Sequence, residues 1–196
     1  MKKTKLIYGV GINDADYAAV QTINGSTVRC PFYRSWMKML ERCYSIRLHN
    51  RRPTYTGCTV TSEWLFFNNF RLWMQKQDWQ GKSLDKDILI QHNKIYSPST
   101  CIFVTNEINN ILINRSNFRG LYPLGVCKYF DKRRHSNIRY MAQCSTYGKN
   151  KNLGLHDTPE EAHEAYKTFK YKHIAEVASQ QSEPLRTALL NYVIEP

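Results

Sequence analysis

Residues 81–110 read GKSLDKDILIQHNKIYSPSTCIFVTNEINN. Residues 83–90 read as a short strand, residues 91–94 as a polar turn and residues 96–100 as a loop. A second short strand is expected over residues 101–104, and a helix from Thr105. The first strand carries two carboxylates, Asp85 and Asp87, and the first turns of the helix carry two amides, Asn106 and Asn109. Oxygen donors on a strand beside side chains from a helix are the donor type that holds a hard divalent cation, Mg²⁺ or one like it.

Upstream, residues 61–77 predict a helix in which Trp64, Phe67, Phe70, Trp73 and Met74 form a wide aromatic stripe. A stripe of this kind is core material before it is a base-stacking platform. From Pro31 a second helix is expected, with Tyr33, Trp36, Met37, Leu40, Cys43 and Tyr44 recurring at intervals of three and four. Its opposite side carries Arg34, Lys38, Glu41 and Arg42. The cations among them form either a solvated face or a phosphate track. Residues 45–60 read as a basic loop holding Arg47, His49, Arg51 and Arg52, then a short strand over residues 55–60 around Gly57. Nucleic-acid contact or plain solvation accounts for such a loop, and Arg51 and Arg52 are candidate DNA contacts. Residues 1–30 suggest an extended arm or hairpin turning at Asn24-Gly25.

The central stretch resembles the ββα-metal, or HNH, nuclease core of phage-borne endonucleases. It is most similar to the subfamily in which Leu-Asp-Arg-Ile-Asp is followed by Tyr-Ser-Pro-Glu-Asn-Cys and a helix. An Arg-Cys-Tyr helix, a strand and a Trp-x-x-Phe-x-x-Phe helix precede the motif there. Arg42-Cys43-Tyr44 and Trp64, Phe67 and Phe70 stand in the same order here, so the likeness covers residues 32–114. The resemblance implies Asp85 as the strand metal ligand and Asn109 as the helix metal ligand. It puts Lys86 where the family has its base histidine, and Thr100 where it has an orienting asparagine. Lysine, with an ordinary pKa of about 10.4, is a poor base at neutral pH unless strongly desolvated. His92, in the polar turn, is the other candidate for the proton role, with a surface turn histidine as the alternative. The candidate catalytic set is therefore Asp85, Lys86 and His92.

Composition changes at RSNFRGLYP, residues 115–123, where a domain junction is expected between residues 1–117 and 118–180, with a tail over residues 181–196. Residues 124–130, 138–146 and 151–155 read as three strands. A helix follows from Thr158, with Pro159 in its first position and Glu161 completing a capping box. Ala162, Ala165, Tyr166, Phe169, His173 and Val177 mark its expected buried face, and a short tail helix is expected over residues 185–193. With Ala142 facing the helix, alternation sends Arg139, Met141, Gln143 and Ser145 to the open face. Arg and Gln there carry the donors and acceptors that read base edges. Lys128, Lys132, Arg133, Arg134, Lys149 and Lys151 would supply phosphate contacts around the rim. Gly125-Val126, Tyr140-Met141-Ala142-Gln143-Cys144, Leu153-Gly154-Leu155, Thr158-Pro159-Glu160-Glu161-Ala162 and Ala165-Tyr166 resemble the APETALA/ethylene-response-factor DNA-binding domain. That family lays its sheet in the major groove with the helix behind.

Composition agrees with a folded α+β chain. Of 196 residues 42% are hydrophobic, enough for a core, and Lys plus Arg outnumber Asp plus Glu by 28 to 16, a net charge of +12. A polyanion is the natural partner for that imbalance, against the plainer reading of a basic surface kept for solubility; the resemblances imply double-stranded DNA, with a host protein as the alternative for a phage effector. The six cysteines include no Cys-x-x-Cys pair, so a structural zinc site has no support. The basic head of residues 1–14 is broken by Gly9, Gly11, Asn13 and Asp14, unlike a signal peptide. No stretch approaches the roughly 18 apolar residues of a membrane span. A reducing cytoplasm with free thiols is expected. Metal-dependent DNA nicking, and a DNA-binding derivative without cleavage, are the two leading expectations.

Overall fold

The computed structural model describes residues 5–112, 121–130, 138–146 and 148–194. The fold is mixed α+β, with small sheets that include one three-stranded antiparallel sheet. Two compact units divide it, Met1–Val104 and Thr105–Pro196. The junction expected near residue 117, and Lys132, Arg133 and Arg134, lie outside the described residues. No described helix is long and apolar enough to cross a membrane. All six cysteines are unpaired, and burial pushes the thiols of Cys43 and Cys101 up to about 12, which leaves them acting as small hydrophobes.

In the first unit, strands β1 (Val20–Ile23) and β2 (Ser26–Arg29) form a hairpin closed by Asn24 and Gly25. Both turn residues have positive φ, 49° and 75°, the backbone that a two-residue hairpin turn demands. Helix α1 (Pro31–Tyr44) starts with Pro31 at its first position while the Cys30 sulfur accepts from the Tyr33 N–H. It buries Tyr33, Trp36, Met39, Leu40 and Cys43. Met39, not Met37, takes the inner position, because 36, 39, 40 and 43 fall on one stripe of a 3.6-residue helix. Arg42, expected on the outer face, turns inward: its Nη1 donates to the Leu84 carbonyl at 3.0 Å.

Four further expectations are corrected here. Residues 45–60 are not an open loop. The Ser45 hydroxyl accepts from the Leu48 N–H at 3.3 Å and caps helix α2 (Ile46–Arg51), which a 3-10 turn at Pro53–Tyr55 follows. The strand expected around Gly57 shrinks to β3 (Thr59–Val60), which pairs in parallel with β5 (Ile95–Tyr96). The aromatic helix of residues 61–77 is two pieces, a 3-10 turn at Ser62–Leu65 and helix α3 (Phe67–Met74), with Phe66 extended between them. Distant groups claim the backbone at that break. The Leu65 carbonyl accepts from Ile12 N–H at 2.8 Å, Phe67 N–H donates to the Ile12 carbonyl at 3.0 Å, and the Trp36 indole donates to the Trp64 carbonyl at 2.7 Å. The stripe itself is core: Trp64, Phe67, Phe70 and Met74 are at most 2% exposed. Strand β4 (Ser83–Asp85) pairs antiparallel with β6 (Ile102–Val104), and ends at Asp85 rather than running to residue 90.

In the second unit, Thr105 caps helix α4 (Asn106–Leu112) through its hydroxyl, which accepts from Ile108 N–H. Strands β7 (Val126–Phe130), β8 (Ile138–Thr146) and β9 (Lys149–His156) form an antiparallel sheet in sequence order. Helix α5 (Pro159–Ala178) lies against all three strands, and α6 (Leu185–Leu190) packs on α5. The capping box at Thr158 and Glu161 is formed in both directions. On α5 the inner positions go to His163 and Lys170, while Ala165 and Phe169 are only half-buried. The His163 ring is anchored by the Leu124 carbonyl at 2.9 Å, which lets a polar side chain sit in the interface.

Gly125 has φ +80°, and a Cβ there would lie 2.1 Å from Cδ2 of Tyr166 on α5. Gly125→Ala is therefore expected to destabilise the fold by roughly 2–4 kcal/mol, as backbone strain and overpacking add. Thr158→Ala, which removes one cap, should cost only about 1 kcal/mol. Thermal unfolding of the two variants checks the ranking, and a parent-like midpoint for Gly125→Ala would contradict the close helix–sheet approach.

Candidate functional site

Asp85 ends its own strand. Its Oδ1 accepts the N–H groups of Asp87 and Ile88, both at 2.9 Å, so the carboxylate captures donors that would otherwise continue the ladder. Lys86 is 5% exposed, and its Nζ donates to Asp87 Oδ2 and to the Asn93 carbonyl, each at 2.9 Å. Asn93 answers with its own amide, which donates to the carbonyls of Lys86 at 2.6 Å and Ile95 at 2.7 Å. The loop over residues 86–93 is thereby clasped at its base. Burial, reinforced by the Asp87 charge and by a carboxyl–carboxyl hydrogen bond, pushes Asp85 up to about 6. Burial would raise Asp87 as well, but hydrogen bonds from Asp85 and Lys86 hold it below the usual carboxylate range. The two carboxylates thus crowd one another, with Lys86 as the counter-charge on Asp87.

This geometry decides what each candidate can do. Lys86 is an ion-pair and clasp residue, and its ammonium group is occupied by Asp87 and Asn93. His92 is exposed at the turn with φ 66°. The Thr100 hydroxyl donates to the Ile95 carbonyl at 2.7 Å and lies 2.8 Å from the Ser97 hydroxyl. Asn109 lies half-buried on α4, in the second unit. Among the described residues, no group of three or more His, Cys, Asp or Glu side chains is gathered as a metal centre. Asp85 and Asp87 are a two-carboxylate set of hard oxygen donors, the chemistry that Mg²⁺ takes, with an ammonium already on one of them.

In the sheet, directly paired residues share a face. Ala142 and Cys144, 0% and 3% exposed, point at α5. Arg139, Met141, Gln143 and Ser145 have the opposite parity, and the register sets Tyr129 beside Arg139, Leu155 beside Met141, Asn152 beside Gln143 and Asn150 beside Ser145. The register shifts between Ala142 and Gln143, so Leu153 is the extra residue of a bulge. Arg139 is already engaged: its Nη2 donates to the Leu155 carbonyl at 2.9 Å, and its Nε lies 3.1 Å from Asp157 Oδ1. Lys128, Lys149 and Lys151 carry the parity of Ala142, with Lys151 Nζ 4.7 Å from the Phe169 ring on α5 and Lys128 Nζ 4.9 Å from the Phe130 ring. They lie along the helix-side face. Asn150 and Asn152 escaped the sequence reading. A strand beginning at Lys149 rather than Lys151, and a bulge at Leu153, decide their side, and only a Gly inside the strand hinted at the bulge.

No known protein family, curated protein or solved structure matches this chain.

Asp85→Asn keeps the acceptor for the Asp87 and Ile88 amides and mimics the protonated acid. The raised carboxyl favours the fold fully below its ordinary value, 3.8, and loses that contribution as pH rises through about 6. The variant should therefore be more stable than the parent at about pH 7.5, by on the order of 1–2 kcal/mol, with the difference vanishing near about pH 4. Urea unfolding at both pH values checks this; a difference independent of pH would contradict the raised Asp85 carboxyl.

Proposed function

We propose that this chain is a DNA-binding protein whose β7–β9 sheet meets a duplex with the face opposite α5. The observation that carries the reading is the side-chain set on that face: Gln143, Ser145, Asn150 and Asn152 sit together through the register, away from the helix. The amides of Gln143 and Asn150 present a donor and an acceptor side by side, the pattern that pairs with the adenine edge in the major groove, while Asn152, whose Oδ1 accepts the Gly154 N–H at 2.9 Å, offers its amide nitrogen as a donor. A chain of net charge +12 supplies the long-range attraction for a polyanion. The likeness of the same segment to the ethylene-response-factor type of domain supports this mode of docking. Arg139 acts in this reading as a brace, since Leu155 and Asp157 hold its guanidinium.

A second reading, metal-dependent nicking of the bound DNA, is favoured by one observation. Asp85 and Asp87 are held in one tight turn, where Asp85 Oδ1 accepts the Asp87 N–H at 2.9 Å, and a divalent cation would relieve the crowding of their negative charge. Asp85 and Asp87 would hold the ion, which when bound supplies charge stabilisation at a leaving oxyanion. Lys86 neutralises Asp87, and His92, exposed at the turn of the same loop, is the candidate for the proton role.

Fluorescence anisotropy with duplex DNA tests the first reading. Affinity is expected to fall steeply with salt, while Gln143→Ala with Asn152→Ala should lower discrimination between sequences by roughly 1–3 kcal/mol per lost base contact and leave the salt slope unchanged. A flat salt response sinks the reading. Plasmid incubated with Mg²⁺ or Mn²⁺ tests the second: nicking lost in Asp85→Ala supports it, and retained binding without nicking excludes it.

A further inference from the structure

One residue, Ser45, both closes α1 and opens α2. Its N–H donates to the Glu41 carbonyl at 3.0 Å, and its hydroxyl caps the next helix. The chain folds back on itself at this point, so the last turns of α1 face α2 and the 3-10 turn after it. A cavity of about 560 Å³ lies between them, and Lys38, Glu41, Arg42, Arg51, Arg52 and Tyr55 line it. Four cations thus surround one carboxylate. Arg42 forms a fixed floor, with one nitrogen on the Leu84 carbonyl and its guanidinium 5.5 Å from the centre of the Tyr55 ring. The second wall is pinned by the His49 ring, 2.8 Å from the Arg42 carbonyl, and by Arg52 N–H donating to the Leu48 carbonyl at 2.8 Å.

Lys38, Arg51 and Arg52 differ from Arg42. All three are exposed, and none makes a side-chain hydrogen bond or ion pair among the described residues. Cations gathered around a concave site repel one another, and an anion entering it turns that repulsion into attraction. Guanidinium forks match the oxygens of a phosphate in pairs, and a lysine adds a mobile point charge. The two arginines also come from the end of a helix that buries no residue, so packing does not account for their presence.

We propose that this cleft is a phosphate-binding site, seating a backbone phosphodiester of duplex DNA. The source of the phosphate rests on the DNA-binding reading above, and the cleft adds a sequence-independent contact in the first unit to the sheet contacts of the second. Lys38, Arg51 and Arg52 hold the phosphate, and Arg42 orients the site from below.

The test compares the full chain with Arg51→Ala/Arg52→Ala and with a control of equal charge, Lys76→Ala/Lys172→Ala, after circular dichroism has shown all three folded. For a labelled duplex, the cleft variant should bind at least about tenfold more weakly at low salt, and its log–log salt slope should be shallower by about 1–2. The control should keep the parental slope. If the parent binds DNA and the cleft variant matches the parent or the control, the cleft proposal is overturned while the DNA reading stands. If the parent binds no DNA, the DNA reading fails, and calorimetry with inorganic pyrophosphate decides the cleft. Binding heat that disappears in Arg51→Ala/Arg52→Ala then retains a site for a free phosphate ligand, and no heat from the parent overturns it.

Discussion

A buried indole N–H has to be satisfied, and in this chain one such bond governs the first unit. Trp36, fully buried on α1, donates to the carbonyl of Trp64 at 2.7 Å. That carbonyl is available only because the chain stops being helical at Phe66, where Ile12 takes up the neighbouring Leu65 carbonyl and Phe67 N–H. An unbroken helix through residues 61–77 would leave the indole without a partner, a cost on the order of 1–3 kcal/mol in a dry core. The break also lets Phe67 meet Tyr33 edge to face at 5.2 Å and Trp64 meet Phe70 at 5.1 Å, so the aromatic packing and the hydrogen bond favour the same geometry.

With α1 rotated so that Trp36, Leu40 and Cys43 face inward, its remaining side chains have no freedom of placement. Arg42 follows at the edge of the inner stripe and reaches the Leu84 carbonyl, which ties α1 to the strand carrying Asp85. Lys38, one turn earlier, stays outside and faces the short helix that Ser45 starts. The same rotation therefore produces the anchor beneath the carboxylate loop and one wall of the cationic cleft. Electrostatics separates these two places. In the loop two carboxylates, Asp85 and Asp87, meet one ammonium, which Lys86 places on Asp87. In the cleft, positive charge exceeds negative and three cations are left uncompensated by side chains among the described residues. The loop's excess is negative and the cleft's is positive, so the two places favour ligands of opposite charge.

The second unit follows a different rule, that of a sheet with one dry face. Gly125 admits Tyr166 against the backbone, Ala142 and Cys144 keep that face thin, and α5 can then lie close. Everything of opposite parity on β8 is left away from the helix. Lys128 and Lys151 lay their ammonium groups over aromatic rings at the margin of the helix side, a use of lysine that combines stem packing with a cation–π contact. Amides rather than cations therefore dominate the described open face.

Much of this was legible in the chain itself because the signals are local. Asn24-Gly25 specifies a hairpin turn within two residues, Thr158 and Glu161 cap a helix within four, and Ala142 with Cys144 declares the inner side of a strand by simple alternation. The places where the sequence misled share another property: their partners lie far off along the chain or depend on a single side-chain choice. Asp85 stops its strand by capturing two amides, Phe66 breaks its helix because Ile12 and Trp36 compete for its neighbours, and Leu153 bulges so that Asn150 and Asn152 join Gln143. Residue pattern determined helices α1 and α5, the three-stranded sheet and the excess of positive charge. Tertiary structure alone decided that Arg42 would turn inward and that Lys38, Arg51 and Arg52 would surround one cavity, because backbone and side-chain groups distant in sequence meet only once the chain has closed on its core.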